Sequence, residues 1–500
     1  MGKALRSDCG QPAPAGSATT GFDDLPGVSA AVAASAAATA FAGVSTTAPT
    51  QRRRWLEAVA EALHSRAELL VALAEEETGL GEVRLRQELT DAAANARYYA
   101  AVGEGGGWLR AQAQRRTGGS AADLRKAHLS IGPVAVFGAS NFPFKFGVFG
   151  HDTCAAVAAG CSVVVKAHPA HPRLSRAIAG TVTAALDAAG APAGTFGLIE
   201  GFTEGLALVQ LPEIAAVAFT GSQSGGMALV DAVRARPLPI PVFAEMGTVN
   251  PVVVTPGAAH SIEPIAAGFV ESFTRGGGQF CTKPGLLLVP RGCGAAAAIA
   301  AALSSRDGVR LLTAGISDAF RAGVGDLVAA GAEVLATGGP ADGEHVVRPV
   351  ALSVSPDVLR QGSRLLQECF GPVGLVAEYG HFAEVGEILS RMQPALAGSV
   401  FSADGADPDV SSVVAQLAGR TGRVVVNDWP TGVACVDAMH HGGPWPATSR
   451  PDATSVGADA LARFTRPVAF QNVPDEALPP ALQDANPWRL VRYDQEGRPW

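Results

Sequence analysis

Three side chains in this sequence have the types and the order needed for thiol chemistry on a carbonyl group. Cys281 lies in RGGGQFCTKPG, residues 275–285, directly after three glycines and just before a strand-like run. Glycines let a substrate and backbone N–H groups approach the sulfur closely, as an attacked carbonyl requires. For any single cysteine the alternative is a buried structural thiol. Glu245 stands 36 positions earlier in FAEMGTVNP, between two strand-like runs and among Phe243, Ala244 and Met246. A carboxylate in so apolar a setting suits a general base that activates water against a thioester, whereas an ordinary surface glutamate sits among polar neighbours. Asn141, in FGASNFPFKFG, follows the strand-like VAVFG at the expected start of a helix. Its amide could donate to a developing oxyanion, cap the helix, or do both.

Strands and helices must carry these groups to one place. LSIGPVAVFG, CSVVVKA, TFGLIEG and IAAVAFTG read as short buried strands, separated by Ala-rich segments such as 175–189. This alternation predicts an α/β chain with a doubly wound parallel sheet, whose ligands sit at the carboxyl ends of its strands. A second series, PVVVT, GLLLVP, PVALSVS, GLVAEY, GSVFS and GRVVVN, predicts a second α/β unit. Ahead of both, residues 28–102 have helical periodicity, with Trp55, Val59, Leu63, Leu70 and Leu73 on one face. The polar stretch 112–121 interrupts the pattern as a hairpin or linker. Beyond Arg466 the chain is Pro-rich and aperiodic, as expected of an arm docked on a neighbour.

Composition narrows the function classes. A chain of 500 residues needs two or three structural units, and 48% apolar with 17% charged residues fits a folded protein. A net charge of -8, with Arg52 to Arg54 as one short basic run, argues against nucleic-acid binding. The seven cysteines are scattered without CxxC spacing, which fits reduced thiols and a cytoplasmic location. The first residues lack the apolar core of a signal peptide, and Arg6 stands where a myristoylation signal needs Ser or Thr. Residues 27–50 are uncharged but mostly Ala, Ser, Thr and Gly, too weakly apolar for the ~20-residue membrane span, so a closely packed helix is expected. The His440–His441 pair reads as loop or tunnel wall, and no metal is expected.

SNFPF with Asn141, VVVKAHPA with Lys166, FTGS at 219–222, AEMGTVNP with Glu245, GQFC with Cys281 and ECFGPV at 368–373 occur in this order. Together they resemble the aldehyde dehydrogenase superfamily over residues 30–467. The resemblance implies that Cys281 attacks the aldehyde, that its N–H and the Asn141 amide hold the oxyanion, and that Glu245 is the general base. It implies further that Lys166 meets the adenosine ribose, that Thr220, Gly221 and Ser222 meet the pyrophosphate, and that Glu368 and Phe370 meet the nicotinamide ribose and ring. The implied architecture is two doubly wound α/β domains and a small oligomerisation element. Residues 1–106 and 128–246 would bind the dinucleotide, 247–441 would form the catalytic domain, and 107–127 with 466–500 would supply a hairpin and C-terminal arm for a homodimer or homotetramer.

Two departures refine the expectation. Relatives that prefer NAD often have a Glu three residues after the lysine, where Pro169 stands here. Without that carboxylate a 2′-phosphate meets less repulsion, and Lys166 with His168 could supply positive or donor groups, so NADP is the expected cofactor with NAD as the other candidate. KAHPAHP, FTGSQSGG, QECFGPV and HGGPWPATS resemble in particular the 2,5-dioxopentanoate (α-ketoglutarate semialdehyde) dehydrogenases, with NADP-dependent fatty aldehyde dehydrogenases as near relatives. Lys145, four residues after Asn141, and Arg275, six before Cys281, could each anchor a distal carboxylate or simply form a surface ion pair. Phe142, Phe144, Phe146 and Phe149 are core, or in part the lining of a tunnel for an aliphatic chain. The rival class is a Cys-dependent acyl transferase or hydrolase without a redox step. It would need a histidine beside Cys281, and none is near in sequence.

Overall fold

The computed structural model describes residues 28–114, 122–403 and 407–494. Its first sheet has five parallel strands in the spatial order Phe196–Ile199, Val163–Lys166, Val134–Phe137, Ala216–Gly221 and Val242–Met246. Successive side chains point to opposite faces, and both faces are covered, which is why these strands read as continuous apolar runs. Val134, Val136, Val163 and Val165 pack with Trp55, Leu56, Leu89 and Ile178 from the helices on one side. Ala135, Val164 and Val217 pack with Ala33, Ala37, Leu208 and Leu229 on the other. The chain winds outward from Val134–Phe137 in one direction, then returns to add Ala216–Gly221 on the opposite side. The crevice beyond those two neighbouring strands is where an open α/β sheet receives its ligand.

The second sheet has seven strands in the order Glu333–Thr337, Val350–Ser353, Val373–Tyr379, Pro284–Pro290, Asn250–Val254, Ala395–Phe401 and Thr421–Val426. The first pair is antiparallel and the others are parallel. Helices Ile262–Thr274 and Ala295–Ser304 cover one face, and Ala314–Ala329, Ala383–Arg391 and Val410–Ala418 the other. The helical lead-in comprises Ala30–Thr46, Pro49–Ser65, Ala67–Thr78 and Glu82–Gly105. Among the described residues no helix is long and apolar enough to cross a membrane.

Three expectations change. LSIGPVAVFG is two strands, because Gly132, at φ 140, turns the chain between Leu124–Ser130 and Val134–Phe137. Leu124–Ser130 joins a separate four-stranded sheet with Gln112–Gln114, Tyr493–Asp494 and Thr465–Gln471. The region beyond Arg466 therefore contains a strand, antiparallel to Leu124–Ser130 over seven residue pairs. Its side chains are mostly exposed, so it carries no strong alternation. The expected hairpin's residues 115–121 and the last residues of the chain lie outside the described residues. Finally, residues 140–150 are turns and bends, and the helix begins only at His151. Asn141 is thus not a helix cap.

Candidate active site

Cys281 sits on a loop whose path only glycine permits. Gly276, Gly277 and Gly278 have φ of 56, 71 and 66°, and a Cβ on Gly278 would overlap the carbonyl of Gly371. The loop is thereby pressed against the one bearing Glu368 and Phe370. Lys283 ties the two together, its Nζ donating to Val373 O at 2.8 Å and Cys369 O at 3.3 Å. Asn250 Nδ2 donates to the carbonyls of Cys281 and Lys283, both at 2.9 Å, and its Oδ1 accepts from Ala397 N at 3.0 Å. One buried amide thus holds the peptide of the thiol in register with the seven-stranded sheet.

Glu245 belongs to Val242–Met246, the outer strand of the first sheet. That strand is met by residues 447–449: Met246 N donates to Ala447 O at 2.9 Å and Ser449 N to Ala244 O at 3.0 Å. The segments flanking this pairing close on each other, with His441 N donating to Thr454 Oγ1 at 2.8 Å and Ser455 N to His441 O at 2.9 Å. Two further side chains reach Glu245 in this way. His441 Nε2 lies 3.1 Å from Glu245 Oε2 and 3.6 Å from Cys281 Sγ, and Ser455 Oγ donates to Glu245 Oε2 at 3.0 Å.

The electrostatics follow from that packing. Burial pushes the Glu245 carboxyl up, but His441 beside it and hydrogen bonds from His441, Cys281 and Ser455 outweigh burial and leave it below the ordinary range. Burial, and then the Glu245 charge, hold the Cys281 thiol well above its usual value. The resting pair is therefore a protonated thiol beside an ionised carboxylate. Activation of the sulfur requires a proton acceptor within reach.

Both residues face a cavity of about 600 Å³ between the two sheets. Its lining combines Asn141, Phe142, Phe146, Glu245 and Cys281 with a second set, His168, Thr220, Gly221, Ser222, Glu368 and Phe370. The second set has the character of a dinucleotide site. It lies at the carboxyl end of Ala216–Gly221, Ser222 caps the helix Gln223–Arg234, and Thr220 Oγ1 is buried without a partner. Burial chiefly raises the Glu368 carboxyl to about 7, with Lys283 opposing and Glu245 adding to the shift. A Cβ on Gly247 would collide with that carboxylate, so the glycine makes room for Glu368.

Residues 8–444 match the Aldehyde dehydrogenase family. The chain belongs to the aldehyde dehydrogenase family. It is 41% identical over 452 residues to "Alpha-ketoglutaric semialdehyde dehydrogenase 2" of Azospirillum brasilense, covering 88% of this chain and 86% of that one. It is 38% identical over 470 residues to "Alpha-ketoglutaric semialdehyde dehydrogenase" of Acinetobacter baylyi, covering 92% and 89%. Among solved structures it resembles a bifunctional proline utilization A protein, with a TM-score of 0.77 and 26% identity over 91% of this chain. The chain spans 45% of that longer protein. Like its family, this aldehyde dehydrogenase is an NAD(P)-dependent oxidoreductase acting on small aldehydes. Geometry alone would not have excluded the acyl-transfer alternative, because His441 supplies the very imidazole beside Cys281 that such an enzyme needs.

Not every expected residue of the aldehyde dehydrogenase reaches the cavity. Lys145 is paired with Asp91 at 3.3 Å, and Arg275 is exposed and paired with Glu271 at 3.4 Å. The helical spacing that would have aligned Lys145 with Asn141 is missing, since the segment is not a helix. Lys166 ends its strand buried, with Nζ 4.6 Å from the Phe202 ring centroid and outside the cavity lining. His168 accepts from Ala170 N at 3.1 Å, and burial pushes its imidazole down to about 3. It is a neutral donor through Nε2 and supplies no positive charge. Asn141 Nδ2 already donates to Gln279 O at 2.7 Å, leaving one N–H for other use.

Several residues of the site have little or no signature in the local sequence. His441 carried a signal, as half of a His-His pair, but nothing local linked it to Cys281. Asn250 was visible in AEMGTVNP only as part of a motif. Arg84, from the helical lead-in, donates from Nη2 to Asn141 O at 2.6 Å and lies over the rings of Phe142 and Phe280. No local pattern announces such a brace.

Proposed function

We propose that this aldehyde dehydrogenase oxidises 2,5-dioxopentanoate to 2-oxoglutarate with NADP as its cofactor. The observation that carries the substrate is that relatives 41% and 38% identical over most of the chain are both named for this semialdehyde. Cys281 is the nucleophile, Glu245 the general base and Asn141 the oxyanion donor. The closeness of His441 to both Sγ and the carboxylate supports these roles.

In this mechanism the Cys281 proton passes to the His441–Glu245 pair as the sulfur attacks the aldehyde carbon. The remaining Asn141 N–H and the Cys281 N–H stabilise the alkoxide of the thiohemiacetal. The nicotinamide, when bound, supplies the hydride acceptor that makes oxidation to the thioester possible. Thr220, Gly221, Ser222 and His168 would hold its phosphates and adenosine, and Glu368 with Phe370 its nicotinamide end. The pair loses the thiol proton to solvent, and Glu245 then takes a proton from water, whose oxygen attacks the thioester carbon; the carbon–sulfur bond breaks, the carboxylic acid departs, and the Cys281 thiolate regains its proton from the pair. With His168 neutral and Lys166 outside the cavity lining, what favours a 2′-phosphate is Pro169, which leaves no carboxylate to repel it. The four-stranded sheet, with Thr465–Gln471 at its edge, is the candidate contact for a homodimer or homotetramer.

Phe142, Phe146 and Ile316 in the cavity wall favour a second reading, a fatty aldehyde. Comparing kcat/KM for 2,5-dioxopentanoate and a ten-carbon aldehyde, each with NADP and with NAD, separates them. The semialdehyde with NADP should be preferred at least tenfold; preference for the long chain would transfer the assignment to the second reading.

A further inference from the structure

The nucleophile and base form, with His441, a cluster whose ligand chemistry exceeds the needs of aldehyde oxidation. Each side chain presents one donor atom, and Cys281 Sγ, His441 Nε2 and a Glu245 carboxylate oxygen lie within 4.8 Å of one another. Two of the separations are 3.6 Å for sulfur to nitrogen and 3.1 Å for nitrogen to oxygen, and the third, sulfur to oxygen, is within 4.8 Å. Three tetrahedral ligands at ordinary zinc bond lengths stand about 3.4–3.6 Å apart. Two of the pairs are already near that spacing, and rotation of the side chains can bring the third to it.

We propose that Cys281, His441 and Glu245 constitute a three-ligand site for a thiophilic divalent cation such as Zn²⁺, with the fourth position open to the cavity, and that its occupancy reversibly inhibits the enzyme. The two-imidazole pair His440–His441 was too sparse a donor set to suggest a metal. The fold completes the set by adding a thiol and a carboxylate to one of those imidazoles.

The surroundings suit the role. Asn250 fixes the Cys281 carbonyl, Thr454 holds the backbone of His441, and Ser455 donates to Glu245 Oε2. Ligands oriented by an outer layer of hydrogen bonds are characteristic of metal centres. Glu245 Oε1 is buried without a partner, leaving one lone-pair face of the carboxylate unused. The cavity provides an entry path and room for a water or chloride as fourth ligand. Soft sulfur with imidazole selects Zn²⁺ or Cd²⁺ over Mg²⁺ and Ca²⁺. Binding breaks the Cys281 S–H bond, forms an S–metal bond and releases one proton to solvent, with no electron transferred. Nucleophile and base are then both engaged, and an aldehyde finds neither.

The loss of turnover rests on the proposed roles of Cys281 and Glu245, whereas the binding itself does not. The test therefore reads binding directly. Chelator-stripped full-length enzyme is titrated with Cd²⁺ while the near-ultraviolet cadmium–thiolate absorbance is followed, and Zn²⁺ is then added as competitor. One cation should bind per chain. Zn²⁺ should inhibit in parallel and competitively with aldehyde, EDTA should restore turnover, and Mg²⁺ should do nothing. His441→Ala and Glu245→Gln, each checked for folding by NADP binding, should weaken Cd²⁺ by more than the ~10–100-fold that loss of an outer-layer partner costs. Unchanged Cd²⁺ affinity in both variants would mean a lone thiolate is responsible and would overturn the site. Should the dehydrogenase reading fail instead, stripped wild-type enzyme would oxidise no aldehyde while the Cd²⁺ titration stayed readable.

Discussion

His441 Nε2 stands 3.1 Å from Glu245 Oε2, with each side chain only 3% exposed. Through the 3.6 Å approach of the same nitrogen to Cys281 Sγ, it connects the Glu245 carboxylate to the thiol. Substituting His441 by Gln should keep a polar side chain but remove the imidazole from the path of the thiol proton. We expect kcat to fall about 10²-fold, the scale of a lost acid–base group, with NAD(P) affinity within twofold of wild type. Unchanged kcat and pH profile would leave His441 a spectator. Glu245→Gln should go further: pre-steady-state mixing should show a burst of reduced cofactor followed by slow turnover, because thioester hydrolysis loses its base.

Cys281→Ala should abolish aldehyde oxidation while leaving NAD(P) binding intact, as measured by fluorescence quenching. Cys369 also lines the cavity, but no carboxylate–imidazole pair stands beside its sulfur among the described residues, so it should not substitute. Residual turnover above about 10⁻³ of wild type would contradict the nucleophile assignment.

Glu368 should give the protein a recognisable pH signature. Its carboxyl is raised by burial from 4.5 to about 7, so between those values the folded state holds a proton that the unfolded state has lost. Its contribution to stability consequently falls as pH rises from about 4.5 to 7. Glu368→Gln should flatten that slope in thermal melts. Equal slopes in variant and wild type would show that burial is not perturbing this carboxyl.

Gly278→Ala tests the glycine-rich approach to the sulfur. A side chain there incurs ~1–3 kcal/mol of left-handed backbone strain in addition to the collision with Gly371. The thiol loop and the Glu368 loop should separate, lowering both the melting temperature and kcat. A variant as stable and active as wild type would mean that their close contact is dispensable.

Lys145→Met and Arg275→Met should each leave KM for 2,5-dioxopentanoate within about twofold of wild type, since both cations are engaged by acids away from the cavity. A selective rise in KM for the acidic substrate, absent with the ten-carbon aldehyde, would return either residue to the substrate site.

Much of this protein is readable locally. Parallel strands buried on both faces appear as apolar runs, and the helical lead-in has an amphipathic period, so both α/β units were legible. Thr465–Gln471 was not, because a strand with exposed side chains, Arg466 and Pro467 has no such signature. The turns at 140–150 were also hidden, and with them the direction of Lys145.

Residue types, order and spacing determined that a thiol after three glycines, a carboxylate in an apolar strand and an amide beyond the first strand of a parallel sheet belong to one chemistry. Those features are local, so they survive in the linear chain. The imidazole that joins them was decided only by tertiary structure. His441 is 160 residues from Cys281, and it arrives because residues 447–449 pair with the outer strand that bears Glu245. Backbone pairing between distant segments leaves no periodicity in either of them, and therefore nothing in the sequence measures that 3.6 Å approach.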